Sequence, residues 1–402
     1  MIRLPFAVLC AAVALTACQE PAGVGLGLID QEGVDPNVRT VAATAVDTVG
    51  LAEPAIGFAD ANASAPQTRV LVGDVADAAF GDVRAVAYLD AVQPAIDGDL
   101  EAGDVSAVWL ELRRTYVYGD TTATLDIGLR QIEGTWQVDD GYPADTLFDI
   151  GAELTTTEAS AADSLVRWDL PTSWVTANAA SLLADDFDTA FEGFSLSTAP
   201  EDSRPAVLGF STVGSRGSGL RVVAADDTLF YPLAEVFTSI ARTPAVATPA
   251  GVVPVRASTR SAAEVTIPLG DLRSLPVARA ALTLPISRAL LEEGPFVRPV
   301  ATRSAVFGVR GSGDDETRTL LGEVQVIGDA EDARVVASAA LTESVQAALL
   351  DPAQAFDRFV VTPSDSPLAP ILPVSLDVLP LMTPSTERPT PRLTITVIGQ
   401  PS

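Results

Sequence analysis

The sequence contains no lysine and no histidine, and its only two cysteines, Cys10 and Cys18, lie near the N-terminus. Each absence removes a class of chemistry. Without histidine there is no Ser-His-Asp or Cys-His constellation and no His-ligated zinc. Without lysine there is no Ser-Lys dyad, no Schiff base and no phosphate-loop lysine. Beyond Cys18 no cysteine remains for a disulfide, a thiolate nucleophile or a cysteine metal site, so stability must come from a large buried core. A Gly-x-Ser-x-Gly elbow is also missing, since Gly209-Phe210-Ser211-Thr212-Val213-Gly214 is one residue too long. Positive charge is scarce: 53 acidic residues face 25 basic ones, all of them arginine, for a net charge of −28. With no basic patch to neutralise phosphates, nucleic acid is excluded as a partner.

Such self-repulsion is tolerable where the Debye length shrinks to about 3 Å, near 1 M salt. The acidic balance therefore points to a halophilic source. The competing reading is GC-rich codon bias combined with an acidic secreted surface.

What is present begins with Arg3 and an almost unbroken apolar run from Leu4 to Leu15, closed by Thr16-Ala17-Cys18. The run is too short for a permanent membrane helix and ends in small residues before a cysteine. This is the pattern of a bacterial lipoprotein signal over residues 1–17, with Cys18 as the lipidated (palmitate-type) first mature residue. An ordinary secretory signal with an incidental cysteine is the alternative. No later segment approaches the roughly 18 consecutive apolar residues of a membrane helix, which leaves lipid as the membrane link. Gly23-Val24-Gly25-Leu26-Gly27 superficially echoes a dinucleotide loop, but no strand precedes it, and residues 18–38 read as a flexible tether.

From Val105 the pattern is β. Val108, Leu110 and Leu112 alternate with Trp109, Glu111 and Arg113, and Leu125, Ile127 and Leu129 alternate with Asp126, Gly128 and Arg130. Strict period two places one face on a core and the other in water, as in an antiparallel sheet. Further strands are expected near 39–49, 69–75, 83–90, 165–170, 191–198, 206–212 and 219–225, with a short helix between Trp174 and Leu183. Residues 227–256 carry Pro232, Pro244, Pro249 and Pro254 and read as a Pro-rich connection. The second half gives strands near 263–269, 279–284, 303–310, 319–327, 333–339, 357–362, 373–378 and 392–398. Ser287 is placed to cap a short helix ending at Gly294, and a second helix from about Thr342 carries Leu341, Val345, Ala348 and Leu349 at helical spacing before Pro352.

The halves look duplicated: Trp168-Asp169-Leu170, a helix, Phe194–Ser197 and Gly219–Val223 are matched by Ala339–Leu341, a helix, Phe359–Thr362 and Pro391–Ile395. Leu282–Ser287 competes as the partner of Trp168–Ser173. The expected fold is mainly β: two tandem antiparallel β-sandwich (jelly-roll-like) domains at 39–226 and 257–402, each with one or two short helices.

Leu71-Val72-Gly73-Asp74 through Ala79-Phe80-Gly81, followed by Tyr116-Val117-Tyr118-Gly119-Asp120-Thr121-Thr122, resembles the core of a family of Bacteroidota lipoproteins catalogued as domain of unknown function 4270. The order of lipidated Cys, Gly-rich tether, Phe-Gly, Tyr-Gly-Asp-Thr, Leu-Pro, helix, Phe-x-Leu and Arg-Leu-x-Ile extends the likeness over nearly the whole chain after Cys18. The later strands are also similar to the β-sandwich modules of bacterial surface proteins known by a DNRLRE motif, which is absent here. The resemblance implies an outer-membrane or cell-surface lipoprotein and supplies no catalytic residues.

Carboxylate chemistry is what composition leaves open. Glycoside hydrolysis needs two acids roughly 5–9.5 Å apart, and with 53 acids the sequence does not single out a pair. Asp185-Asp186-Asp188 and Asp314-Asp315-Glu316 could hold Ca²⁺, but neither has calcium-loop spacing and both read as solvated turns. Trp109, Trp136, Tyr116 and Tyr118 form a candidate platform for a glycan or a surface protein; for Trp109, out of phase with Val108, Leu110 and Leu112, the alternative is that its face is covered by the helix or tether and it is core. The reading that follows is a non-enzymatic, lipid-anchored binding or structural module without a cofactor. A glycan-binding accessory or a carboxylate-dependent hydrolase stands second.

Overall fold

The alternation along Val105–Asp120 and Thr124–Ile132 is realised as strands with Val108, Leu110, Leu112, Leu125, Ile127 and Leu129 all buried on one face. Burying such a face removes about 1.5–3 kcal/mol of exposed apolar surface per large side chain, which fixes register as well as stability. The computed structural model describes residues 36–398 apart from 51–58, 61–67, 97–98, 137–141, 144, 200–203, 215–216, 246–248, 257–260, 273, 302, 312–314, 327–331, 336–337, 357, 364–374 and 387–388. Residues 1–35, with the expected signal, Cys18 and most of the tether, lie outside that set, as does Asp314.

The chain is mainly β, with two antiparallel sheets in a sandwich-like arrangement. The strands are β1 (Pro36–Ala42), β2 (Ala45–Gly50), β3 (Ala59–Asp60), β4 (Arg69–Val75), β5 (Asp82–Ala91), β6 (Val105–Asp120), β7 (Thr124–Ile132) and β8 (Ile150–Ser160). They continue with β9 (Leu165–Asp169), β10 (Phe194–Thr198), β11 (Pro205–Ser211), β12 (Gly219–Ala224), β13 (Asp227–Thr243), β14 (Val252–Arg256), β15 (Ser261–Thr266) and β16 (Val277–Pro285). The last are β17 (Glu292–Glu293), β18 (Phe296–Val297), β19 (Arg303–Arg310), β20 (Thr317–Val326), β21 (Asp332–Val335), β22 (Arg358–Pro363), β23 (Val378–Met382) and β24 (Arg392–Ile398). Among the described residues three α-helices join them: α1 (Thr172–Leu182), α2 (Phe187–Ala190) and α3 (Ala339–Leu350).

The strand pairings show the duplication directly. In the first lobe β4 pairs β5 and β11, β10 lies between β5 and β7, β7 pairs β8, and β6 pairs β9 and β12. In the second lobe β14 pairs β15 and β23, β22 lies between β15 and β19, β19 pairs β20, and β16 pairs β21 and β24. The helices fit the same scheme, α1 between β9 and β10 and α3 between β21 and β22. This fixes the register: Leu282–Pro285, at the end of β16, corresponds to β6, and Trp168–Asp169 in β9 corresponds to β21, not to Ala339–Leu341, which is the first turn of α3.

The lobes are duplicated but not simply tandem. β1 pairs β24 and β2 pairs β15, so the strands that precede the first lobe complete the second. β13, which precedes the second lobe, completes the first: its start pairs β12 and its end pairs β5. Each lobe therefore takes its closing strand from the segment leading into the other. The expected domain limits change accordingly. The tether ends by Pro36, residues 36–50 belong with 252–398, and the expected Pro-rich connection at 227–256 is in fact β13 and β14. Pro232 is tolerated in β13 because it sits where the strand changes partners; opposite Gly219, it accepts a hydrogen bond through its carbonyl from Val92 N–H (3.0 Å). Strand β8, unanticipated, has almost no buried face, and β23 begins where the expected strand at 373–378 ends.

Two main cores result. One gathers Val72, Leu110, Ile127, Trp168, Trp174 and Tyr231 of the first lobe, the other Val46, Val265, Leu282, Leu341, Phe359 and Ile395 of the second. A third apolar cluster lies between the lobes and contains Leu71, Phe80, Tyr116, Tyr118, Val207 and Ile240 with Leu376 and Val378. No described helix is long and apolar enough to cross a membrane.

Candidate functional site

The site is built where β6 meets the second lobe. Along β6, Val108, Leu110 and Leu112 face the first core. Opposite β11 the register then shifts, Gly209 pairing Tyr116 and Phe210 pairing Arg114, so Thr115 has no partner across the ladder. This bulge turns the strand over. Val117 now packs on the first core while Tyr116 and Tyr118 emerge on the outer face, the face that carries Trp109. Gly73 and Gly119 flank Ala206 at positive φ (133° and 109°), and a Cβ on either would collide with the β11 backbone. Glycine is needed there for the close approach of three strands.

The outer face is not free at this end. The hairpin β17–β18 pairs with the end of β6, and residues 376–378 pack on Tyr116. Tyr116 and Tyr118 are therefore buried, and the expected aromatic platform is corrected. Trp136 is buried too, its Nε1 donating to Glu192 O (2.7 Å) inside an aromatic cluster with Tyr88 and Phe148. Only Trp109 keeps partial exposure, and the Arg167 guanidinium lies over its ring at 4.0 Å. What covers the outer face of β6 comes from elsewhere in the chain.

Between the lobes lies a polar network in the apolar cluster. Asp77, in the turn after β4, accepts from Ala79 N–H (2.8 Å), Phe80 N–H (3.2 Å) and Tyr118 Oη–H (2.5 Å). Its two oxygens also accept from Arg298 Nε (2.8 Å) and Nη2 (2.9 Å), and the pair is almost fully buried, 1% and 2% exposed. Burial alone would push Asp77 up, but the hydrogen bonds from Arg298 and Tyr118 outweigh it and hold the carboxyl below its usual range. Burial and the adjacent Asp77 charge drive the Tyr118 hydroxyl upward, so it stays protonated and donates. Arg298 Nη1 donates to Leu290 O (2.8 Å), and Nη2 also reaches Glu293 (3.1 Å). Tyr116 Oη accepts from Leu376 N–H (2.9 Å).

Next to this network is a cleft of about 390 Å³ between the lobes, lined by Ala79 and Phe80 of the β4–β5 turn and by Pro254 and Arg256 of β14. Arg256, at the end of β14 and 6% exposed, lines it and donates through Nη1 to Phe80 O. Its Nε and Nη2 have no partner among the described residues. Phe80 lies between the two buried guanidiniums, 5.7 Å from that of Arg256 and 5.6 Å from that of Arg298. Asp77, Arg298 and Arg256 escaped the sequence reading; the only local sign was the Asp77-to-Phe80 stretch beside the Phe-Gly motif.

Of the calcium candidates, Asp185 and Asp186 sit on an exposed turn, Asp188 lies in α2 and accepts from Gln93 N–H (2.7 Å), and Glu316 pairs with Arg318 (2.7 Å). Among the described residues no group of three metal-binding side chains converges.

No protein-family model matches the chain, and no curated protein matches it. Among solved structures it is similar to the N-terminal CBM22-1–CBM22-2 tandem domain of Xyn10C from Paenibacillus barcinonensis, at 8% identity over 91% of this chain and 92% of that one, with a TM-score of 0.20. At that score the likeness carries no argument about function.

Proposed function

We propose that this protein is a lipid-anchored, non-enzymatic module of the outer membrane or cell surface, a rigid two-lobed body that binds a partner or serves a structural role. The observation that carries the reading is the weld between the lobes. Exchanged strands and the buried Asp77–Arg298–Tyr118 network tie them into one unit, as suits a body held at a fixed geometry on an anchor. The burial of Tyr116, Tyr118 and Trp136 favours this over sugar stacking, because those rings serve the interior. The resemblance to Bacteroidota surface lipoproteins agrees with the same assignment, and Cys18 supplies the anchor.

The anchor is tested by fractionating cells that express Cys18→Ser: the variant is expected in the soluble fraction, and a variant that still pellets with envelopes overturns the assignment. Glycan-array binding tests the body. Saturable binding to a defined neutral sugar, or turnover of one, would replace this reading with a glycan-associated role.

A further inference from the structure

We propose that the corner where β13 leaves β12 for β5 is a proton-controlled joint, closed while Asp90 carries a proton and loosened when Asp90 joins Glu235, Glu192 and Asp188 as a fourth negative charge. The inference goes beyond the binding-module reading and depends on neither the anchor nor the partner.

The backbone makes the corner. Asp90 is the next-to-last residue of β5, half-buried between β10 and β13. On one side Leu89 pairs Phe194, and Gly193 lies so close that a Cβ there would stand 3.0 Å from the Asp90 Cα. On the other side Ala91 pairs Leu233 and Leu89 pairs Val236, so Ala234 and Glu235 of β13 stand opposite Asp90 alone. Such a bulge interrupts the ladder. Around it Ala91 N–H turns to Asp90 Oδ1 (2.7 Å), and Val92 N–H to Pro232 O (3.0 Å). An interrupted ladder opens more readily than the strands it links.

The side chains set the charge. β13 brings Glu235, the turn into β10 brings Glu192 and α2 brings Asp188, and each repels a negative Asp90. β3 pairs β13 here and places Asp60 across from Glu235 in the ladder. Tyr88, two residues back on β5, stays neutral because burial pushes its hydroxyl up. The arginines of these strands are elsewhere: Arg84 and Arg242 lie at the far end of the β5–β13 ladder, and Arg130 of β7 holds Glu153 (2.8 Å). Burial first, then the like charges, raises the Asp90 carboxyl to about 8, so the closed corner retains the proton and the open one releases it. Each pH unit between about 4 and about 8 therefore favours opening by about tenfold. The segment that carries Asp188 and Glu192 is docked by Phe187 on Tyr231 (ring centroids 5.2 Å apart) and by Phe191 on Phe194 (5.0 Å). Loosening it bares two buried phenylalanines.

Hydrogen exchange of the full chain, lipid included, in neutral detergent, read by mass spectrometry from about pH 5 to about pH 9, tests the joint. Labelling times are scaled to the intrinsic exchange rate, so a segment indifferent to pH gives a flat profile. Peptides spanning 86–92, 187–194 and 231–237 are expected to quicken by about tenfold per pH unit up to about pH 8 and to level off above it. In Asp90→Asn the same peptides stay flat. In Glu235→Gln the rise levels off at a lower pH, since one like charge is gone. Peptides from α3 in the second lobe stay flat in all three proteins. A flat wild-type profile at the joint, a rise that survives in Asp90→Asn, or an unmoved plateau in Glu235→Gln overturns the inference. An equal rise in α3 does so too, because the whole chain then opens and not the corner. Should Asp90→Asn fail to fold, the contrast between the joint and α3 in the wild-type chain decides.

Discussion

Asp77 and Arg298 lie 221 positions apart and meet in the interface with almost no exposed surface. Removing one partner of such a pair strands the other, at about 3–5 kcal/mol. Arg298→Met and Asp77→Asn are each expected to lower the unfolding free energy by about that amount, and the double variant to lose clearly less than the sum. Urea unfolding of the four proteins in the cycle checks this; simple additivity would mean the pair is not coupled. Asp90 presents the opposite case. Burial first, then the charges of Glu235, Glu192 and Asp188, push its carboxyl up to about 8 from an ordinary 3.8. A raised pKa means the folded state holds the proton more tightly than the unfolded chain, so stability is lost as pH rises from about 4 to about 8 and is flat beyond. Asp90→Asn should therefore match the wild type at pH 3 and exceed it by up to about 5 kcal/mol at pH 8. Parallel melting curves across that range would refute the assignment. At this scale the sequence could nominate Tyr116, Tyr118 and Trp109 as residues with a role, but not where they point. The bulge at Thr115 has no local signature, and Arg298 and Arg256 look like any other arginine until the chain brings them beside Asp77 and Phe80.

Elements were legible in proportion to how one-sided their burial is. β6 and β7, with a clean buried face, can be read from alternation alone, and the stripe Leu341, Val345, Ala348 and Leu349 of α3 is buried as its spacing requires. β8 was hidden because its Thr-rich strand lies largely in solvent, and β13 because a proline in a strand is normally disqualifying. The start of α3 shows what spacing alone misses. The helix begins three residues before Thr342, at Ala339, because Ser338 caps it: its Oγ accepts from Leu341 N–H (3.0 Å) and donates to Leu321 O in β20. One hydroxyl thus closes the helix terminus and ties it to the sheet. Ser338→Ala is expected to cost about 1–2 kcal/mol. Leu350→Ala at the exposed end of the same helix should stay within about 0.5 kcal/mol. Equal losses in the two variants, measured by chemical denaturation, would show that the cap is not what anchors the helix.

For the molecule as a whole, the duplication was visible as a repeated order of motifs, while the exchange of closing strands was not. Nothing in the composition of 36–50 says which lobe it completes, because pairing across more than 200 residues leaves no local pattern. The exchange nevertheless governs stability. β1 and β2 cover the edges of β24 and β15 along seven and six residue pairs, and they bury Ala43 and Val46 in the second core. A fragment spanning 249–402 would thus carry an open core and two bare strand edges, the condition that leads to unfolding or self-association. We expect that fragment to lack a cooperative thermal transition, and a peptide covering 36–50, added in trans, to restore one. The intact chain should unfold in a single calorimetric transition whose van't Hoff and calorimetric enthalpies agree, since neither lobe can close without the segment leading into the other. Two resolved transitions in the intact chain, or a fragment that folds without the peptide, would mean that the lobes are independent and that the exchanged strands are an accessory to them.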